Sequence, residues 1–532
     1  MSESKVGATE QPTLSGPALT NWQVASYGAP ATPLALAGLP LALYLPALYA
    51  GSFGLSLATV GLLLMLVRWT DVITDPIIGV WSDRVRTRFG RRKPFVLVGT
   101  PIFMAAIWFL FVPPFEFTEI TLLGVSMSTG YLWLTLMVFT VYLGSTILEL
   151  PYAAWGAELA TNYHERSRIM SWREAFVVGG SLMSAFTPAV ILVFGYDKPT
   201  DAVLFLAIAM CIIMPVVIGN LLISVPERPP VERRTSNLPL REMVRFVTAN
   251  RPYVMLVIIF AFSAIGTAMT NTLSLFFVTH VLLAGKLYGL YLAPYFVCQI
   301  AALPLWMRLS RRIGKHRATM VAIGWYALWS CFIPLVAIAP EAWFAGFEIP
   351  RLAALLSAEL GASAATYFHE IPTGKFLFFI IIMCLKGSSI GALGALPSAM
   401  LADVVDLDSA QTGKQQAGTY FSIWSMVRKS ALAIGIFVGT GLAAWFGFDP
   451  RANPMDTTNT ATSLLMLAIL YSIVPALFKF VAMPFLWNYQ LTEDRVREVQ
   501  AEIASKAQAA RDAQNVGGGQ AGVGGGVVAP AV

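Results

Sequence analysis

Apolar residues run along this chain in long blocks, with no strand-like alternation. The blocks fall near 30–53, 57–81, 95–113, 131–157, 168–194, 202–225, 252–281, 287–309, 318–339, 374–402, 418–446 and 463–487. Each is close to the roughly 20 residues a helix needs to cross a bilayer, and short polar stretches separate them. The pattern predicts about twelve transmembrane helices, some of them tilted, and so an all-α membrane protein. Composition supports this: 56% of residues are hydrophobic and 12% charged, whereas a soluble domain carries about 25% charged residues. The first 25 residues are polar and lack the compact layout of a cleaved signal peptide. They read as a tail, with the first span as a retained insertion signal.

The charged residues between the blocks set the orientation. Arg84, Arg86, Arg88, Arg91, Arg92 and Lys93 crowd the second connection, Arg228, Arg233, Arg234, Arg241 and Arg245 the sixth, and Arg308, Arg311, Arg312, Lys315 and Arg317 the eighth. Odd-numbered connections are poor in Lys and Arg. Positive residues stay on the cytoplasmic side, so both termini are expected there, in the inner (plasma) membrane. This distribution explains the formal net charge of +6 without nucleic acid as a partner. The expected divisions are a tail at 1–25, a six-helix bundle at 26–225, a Pro-rich basic linker at 226–251, a second bundle at 252–488 and a tail at 489–532, helical and then Gly-rich and disordered. The ninth connection contains an amphipathic run, "RLAALLSAEL", suited to the membrane surface.

"WSDRVRTRFGRRKPF" and "LWMRLSRRIGKHRAT" (305–319) match each other six helices apart. Each carries arginines around a glycine between two apolar spans. A parallel repeat of six helices is the architecture of major facilitator transporters: two six-helix halves around a central cavity. The glycines permit tight turns. The arginines satisfy the orientation rule alone, or they also serve a gate, for which Arg84, Arg91, Arg92, Arg308, Arg311 and Arg312 are the candidates.

A carboxylate at the centre of a membrane helix costs ~2.5 kcal/mol or more, so such groups face a cavity or a partner. Asp71 and Asp75 lie one turn apart and share a helix face. They suit a small cation or form a structural ion-pair network, with Arg68 placed to pair with Asp71. Thr146 lies one turn before Glu149 in the fourth span and offers a further oxygen. Arg173, beside Glu174, begins the fifth span. Arg428 and Lys429 sit inside the eleventh, and Lys429 has apolar sequence on both sides. Lys386 in the tenth is a weaker candidate. The four histidines fall in or beside connections with no metal-ligand spacing, and the four cysteines read as buried apolar residues. No phosphate-binding loop of the ATPase kind is present. No nucleophile, base or metal set for a membrane enzyme is visible.

Taken together, these stretches resemble the glycoside–pentoside–hexuronide:cation symporters, of which the melibiose permease is the best known. "DVITDPIIGVWSDRVRTRFGRRKP" resembles that family's second helix, "ELPYAAW" its fourth, "ADVVDLD" (402–408) its tenth connection and "MVRKSA" its eleventh helix. The resemblance implies that Asp71, Asp75 and Thr146 hold the coupling cation, with Thr74 at a family asparagine position. It also implies that Glu149, Arg173 and Lys429, with Arg68 beside them, serve the substrate. Two departures bear on specificity. The first helix, "SYGAPATPLALAGLPLALYLP", lacks the sugar-gripping aspartate, and Ala153 replaces the tryptophan that stacks on sugar. Asp71, Asp75 and Glu149 balance Arg68, Arg173 and Lys429, so one bound sodium ion leaves the cavity positive and favours an anionic substrate.

The expected activity is symport of a glycoside or hexuronide-like solute with Na+ or H+, by a monomer without other cofactors. A sodium-dependent lysophospholipid transporter is the alternative, because the animal lysophosphatidylcholine symporters share the fold and the paired aspartates. A membrane sensor or scaffold is the alternative from another class.

Overall fold

The computed structural model describes residues 19–122, 125–159, 163–196, 198–227, 250–340, 342–344, 373–412, 417–454 and 457–487. The amphipathic run of the ninth connection, most of the linker, the start of the amino-terminal tail and the whole carboxy-terminal tail lie outside these residues.

Twelve membrane segments follow the apolar blocks. They are α1 (Asn21–Gly28 and Ala31–Leu43, then Leu45–Ser52 after a bend), α2 (Leu57–Trp69 and Asp71–Arg84), α3 (Lys93–Phe111), α4 (Thr129–Leu159), α5 (Tyr163–Val193) and α6 (Pro199–Ser224). The second half comprises α7 (Arg251–His280), α8 (Tyr288–Ile313), α9 (Lys315–Cys331 and Ile333–Ile338), α10 (Thr373–Gly387 and Ile390–Thr412), α11 (Ala417–Trp445) and α12 (Ala461–Phe480 and Met483–Trp487). Eleven described helices are long and apolar enough to cross a membrane, and the bent pair in α1 makes a twelfth.

One expected boundary moves. The amino-terminal tail is shorter than 25 residues, because α1 begins at Asn21. Thr20 caps it: Thr20 Oγ1 accepts from the Gln23 N–H at 3.2 Å and Gln23 Oε1 accepts from the Thr20 N–H at 3.0 Å. This reciprocal capping box starts a helix in a stretch too polar to count as an apolar block. The all-α fold holds, and the third connection carries a small hairpin besides, β1 (Glu119–Leu122) paired antiparallel with β2 (Val125–Ser128).

One span is bent and others carry a local irregular turn. Pro40 lies within α1, and Pro46 opens the segment after its 47° bend; proline removes a donor and crowds the preceding turn. α2 breaks at Thr70, immediately before Asp71. α10 breaks at Ser388 and Ser389, after Gly387. In lipid every freed backbone group needs a new partner. Here the indoles of Trp325 and Trp306 donate to the Leu385 and Ser388 carbonyls, each at 2.7 Å.

The matched connections behave alike. Gly90 and Gly314 both adopt left-handed φ, +108° and +88°, which side chains rarely tolerate. The start of the linker is tied to the first of them, since Glu227 Oε1 accepts the backbone N–H groups of Arg91 and Arg92 at 2.7 Å each.

The halves meet on the face opposite these basic connections. Near that end of α2, a Cβ on Gly61 would lie 1.8 Å from Thr440 Oγ1 of α11. Near that end of α8, a Cβ on Gly289 would lie 2.5 Å from the Ala189 nitrogen of α5. Small residues let helix backbones approach this closely. Tyr44 and Tyr288 add an edge-on ring contact at 5.6 Å. On the basic face, the ion pairs among the described residues stay within one half: Arg91 and Arg92 with Glu158, and Lys315 with Asp403.

Candidate functional site

Asp71 directly follows the irregular turn at Thr70 within α2, and Asp75 lies one turn later on the same face. Asp71 is 2% exposed. Its Oδ2 lies 3.1 Å from Arg68 Nη1 and 3.1 Å from Lys429 Nζ. Lys429 Nζ also pairs closely with Asp75 Oδ2. Thr146 of α4 donates to Asp75 Oδ1 at 2.9 Å. Two buried oxygens of this cluster, Asp71 Oδ1 and Thr74 Oγ1, have no hydrogen-bond partner among the described residues. Buried polar atoms without partners call for an explanation such as an ion. The donor set of two carboxylates and two hydroxyls is the hard-oxygen chemistry that small hard cations prefer.

The cluster forms one wall of a cavity of about 390 Å³ between the halves. Asp75, Arg68, Thr146, Glu149, Arg173, Arg428 and Lys429 all line it. Glu149 lies in the field of four cations: Arg68, Lys429, Arg173 and Arg428. Arg68 sits 4.2 Å over the Tyr142 ring, and Arg173 5.8 Å from the Tyr152 ring centre. Desolvated cation–π contacts of this kind help hold a guanidinium in a membrane interior. The facing wall is α1, where Leu34, Ala37, Gly38 and Leu41 present no charge, and Ala153 leaves room beside Glu149.

The eight residues read from sequence as cation or substrate ligands are therefore gathered in one place. Lys429, read as a substrate ligand, also enters the aspartate cluster and connects the two sets. The arginines read as a gate divide. Arg91 and Arg92 both bind Glu158, Arg92 at 2.8 Å, which secures the amino-terminal half internally. Arg84, Arg308, Arg311 and Arg312 stand exposed at the basic end. Lys386 does not reach the central cavity and is buried inside the second half.

Sequence reasoning gave no role to Arg428, Tyr142, Asn271 or Thr272, all of which line the cavity. The polar pair Asn271–Thr272 inside an apolar span was the available signal. Lys479, another lysine within an apolar run, was passed over in the same way.

A two-bundle membrane protein with a charged cavity between its halves belongs to the class of secondary transporters. More narrowly, the chain belongs to the family described as MFS/sugar transport protein, whose profile matches residues 26–493, and the resemblance to glycoside–pentoside–hexuronide symporters is upheld. It is 24% identical over 477 residues to the glucuronide carrier protein homolog of Escherichia coli (strain K12), covering 87% of this chain and 91% of that one. It is 21% identical over 515 residues to the sodium-dependent lysophosphatidylcholine symporter 1-A of Danio rerio, covering 90% and 87%. In fold it is similar to the xylose transporter XylE from E. coli in an inward-open conformation, with a TM-score of 0.53, 14% identity and coverage of 90% and 98%. The protein is a multi-pass membrane transporter and not an enzyme.

Proposed function

We propose that the protein is a cation-coupled symporter that moves a glycoside or hexuronide-like solute bearing an anionic group. The observation that carries this reading is the position of Lys429. Its ammonium lies between Asp71 and Asp75, at the place a coupling cation would take, and it also lines the substrate cavity. A cation bound by Asp71, Asp75, Thr74 and Thr146 takes over the neutralising role of Lys429 and releases it toward the substrate. Binding of one ligand thereby prepares the site for the other, which is the reciprocal coupling that symport requires.

Charge supports an anionic substrate. Arg428 joins Arg68, Arg173 and Lys429, so four cationic side chains surround the cavity against Asp71, Asp75 and Glu149. A bound cation adds a further positive charge, and uncompensated charge away from water is costly. A carboxylate or phosphate on the substrate restores the balance. Sodium is the favoured ion and a proton the alternative.

The uncharged α1 wall favours a second reading, in which the solute is a lysophospholipid with its phosphate near Arg173 and Lys429 and its chain against Leu34, Ala37 and Leu41. In either case the positive-inside rule supports basic connections and termini on the cytoplasmic side, the close packing at Gly61 and Gly289 supports an inward-facing state, and we take the working unit to be a monomer in the inner membrane. Uptake into proteoliposomes, with and without a sodium gradient, tests the reading. Accumulation of a glucuronide driven by sodium supports it, and gradient-independent equilibration of every glycoside and lysolipid tried removes the coupling.

A further inference from the structure

Two lysines are buried within the second half, away from the central cavity. Lys386 of α10 is 0% exposed and Lys479 of α12 is 1% exposed. Lys479 Nζ donates to the Ser263 carbonyl at 2.9 Å, to Ser263 Oγ at 3.2 Å and to Thr267 Oγ1 at 2.7 Å. All three acceptors are neutral. Lys386 Nζ has no acceptor among the described residues; it lies over the faces of Tyr326 and Tyr471, at 4.7 and 5.0 Å. Lys479 lies over the same Tyr326 ring at 4.9 Å. Among the described residues, no carboxylate forms an ion pair with either lysine.

This arrangement is expensive as it stands. An ammonium removed from water needs a counter-charge, and it carries three donors to satisfy. Ring faces stabilise the charge but accept no proper hydrogen bond. The pair also lies beside irregular backbone, because α10 breaks at Ser388 and Ser389 just after Lys386.

A side chamber approaches the pair without including either lysine in its lining. This chamber of about 220 Å³ shares Asn271 with the central cavity. Its wall includes Thr267, which holds Lys479, and Tyr471, whose ring covers Lys386. The chamber is smaller than the central cavity.

We propose that Lys386 and Lys479 form a buried binding site for a compact monovalent anion, which reaches them from the central cavity past Asn271, Thr267 and Tyr471. The anion supplies the missing counter-charge and accepts the free donors of Lys386. Its source is either a halide from solution or the carboxylate of a small solute. The site stands apart from the aspartate cluster, so it holds or falls independently of cation coupling.

The test uses the full chain in phosphatidylcholine nanodiscs at fixed pH, sodium concentration and ionic strength, with bromide replacing gluconate. The expected result is a saturable rise of about 2 °C or more in the thermal midpoint, as for any ligand that binds only the folded state. Lys386→Met and Lys479→Met should each abolish that rise. Lys386→Met should also melt no lower than the wild type in gluconate, since it removes an unbalanced buried charge. Acetate giving the same rise assigns carboxylates to the site as well, and acetate without effect restricts it to halides; both uphold an anion site. Should a variant fail to fold, anomalous scattering from bromide in wild-type crystals decides, with a peak expected against Lys386 Nζ. No bromide response in the wild type, or an undiminished response in both variants, would overturn the proposal.

Discussion

Lys429 and Asp71 stand 3.1 Å apart across the boundary between the two halves. With the neighbouring contact to Asp75, theirs are the ion pairs that join the halves among the described residues. The seal between α2 and α11 lies about three turns away along the same pair of helices, so the charge cluster and the closed face share one structural spine.

Neutralising either aspartate should uncouple transport. Asp71→Asn and Asp75→Asn are expected to abolish sodium-driven accumulation in proteoliposomes while leaving the helical content and much of the substrate exchange intact. Exchange needs recognition but no net coupling, and the two are separable by linkage. Accumulation at wild-type levels in both variants would show that the cation binds elsewhere.

Lys429→Gln should act in opposite directions on the two ligands. The aspartates lose their internal competitor, so sodium should bind more tightly. An anionic substrate loses a charge partner, and truncating one side of a buried charge pair costs about 2–5 kcal/mol, or about 30-fold or more in affinity. Calorimetric titration with matched neutral and anionic glycosides would reveal both changes. Tighter binding of the neutral glycoside by the wild type would contradict the anionic-substrate reading.

Gly61→Leu should destabilise the sealed face. Even a Cβ at this position meets Thr440 at 1.8 Å, so a larger side chain must push α2 and α11 apart. The population should shift toward a state open on that face, because a perturbation moves an equilibrium by its differential effect on the two states. Labelling of a cysteine introduced at Thr440 should become faster, whereas an unchanged rate would mean that the helices accommodate leucine without parting.

Cross-linking the basic connections should trap the opposite state. Cysteines at Arg84 and Arg308, one from each half, are expected to stop transport when bridged and to restore it on reduction. Full activity after complete bridging would remove any gating role for these loops, and their arginines would then serve orientation alone.

Much of this was legible in the sequence because the bilayer imposes a simple length rule. The twelve apolar blocks predicted the spans to within about five residues, except at the polar start of α1 and the polar end of α10, and carboxylates within them are costly enough to mark a site by themselves. The interruptions were harder to read. Thr70 and Ser388–Ser389 are ordinary polar residues, and only the packed neighbours, such as the Trp325 and Trp306 indoles, make those breaks tolerable. The union of Lys429 with Asp71 and Asp75 was beyond local reading, since 354 positions separate Lys429 from Asp75. Arg428 was visible beside Lys429, yet adjacent residues on a helix point about 100° apart, so the choice of the lysine alone had no geometric basis. Both line the cavity.

The two glycine contacts on the closed face are related by the repeat itself: α2 of one half corresponds to α8 of the other, and α11 to α5. Each half thus lends one bare stretch of backbone to a helix of its counterpart. At Gly61 the neighbour is the short Thr440 side chain, and at Gly289 the nearest neighbour is main chain. Parting them resembles lifting two plates along matched edges. A bulky residue at only one of the two glycines would wedge one edge and leave the other closed, and the halves would then swing like a door hung on one jamb instead of tilting apart as a pair.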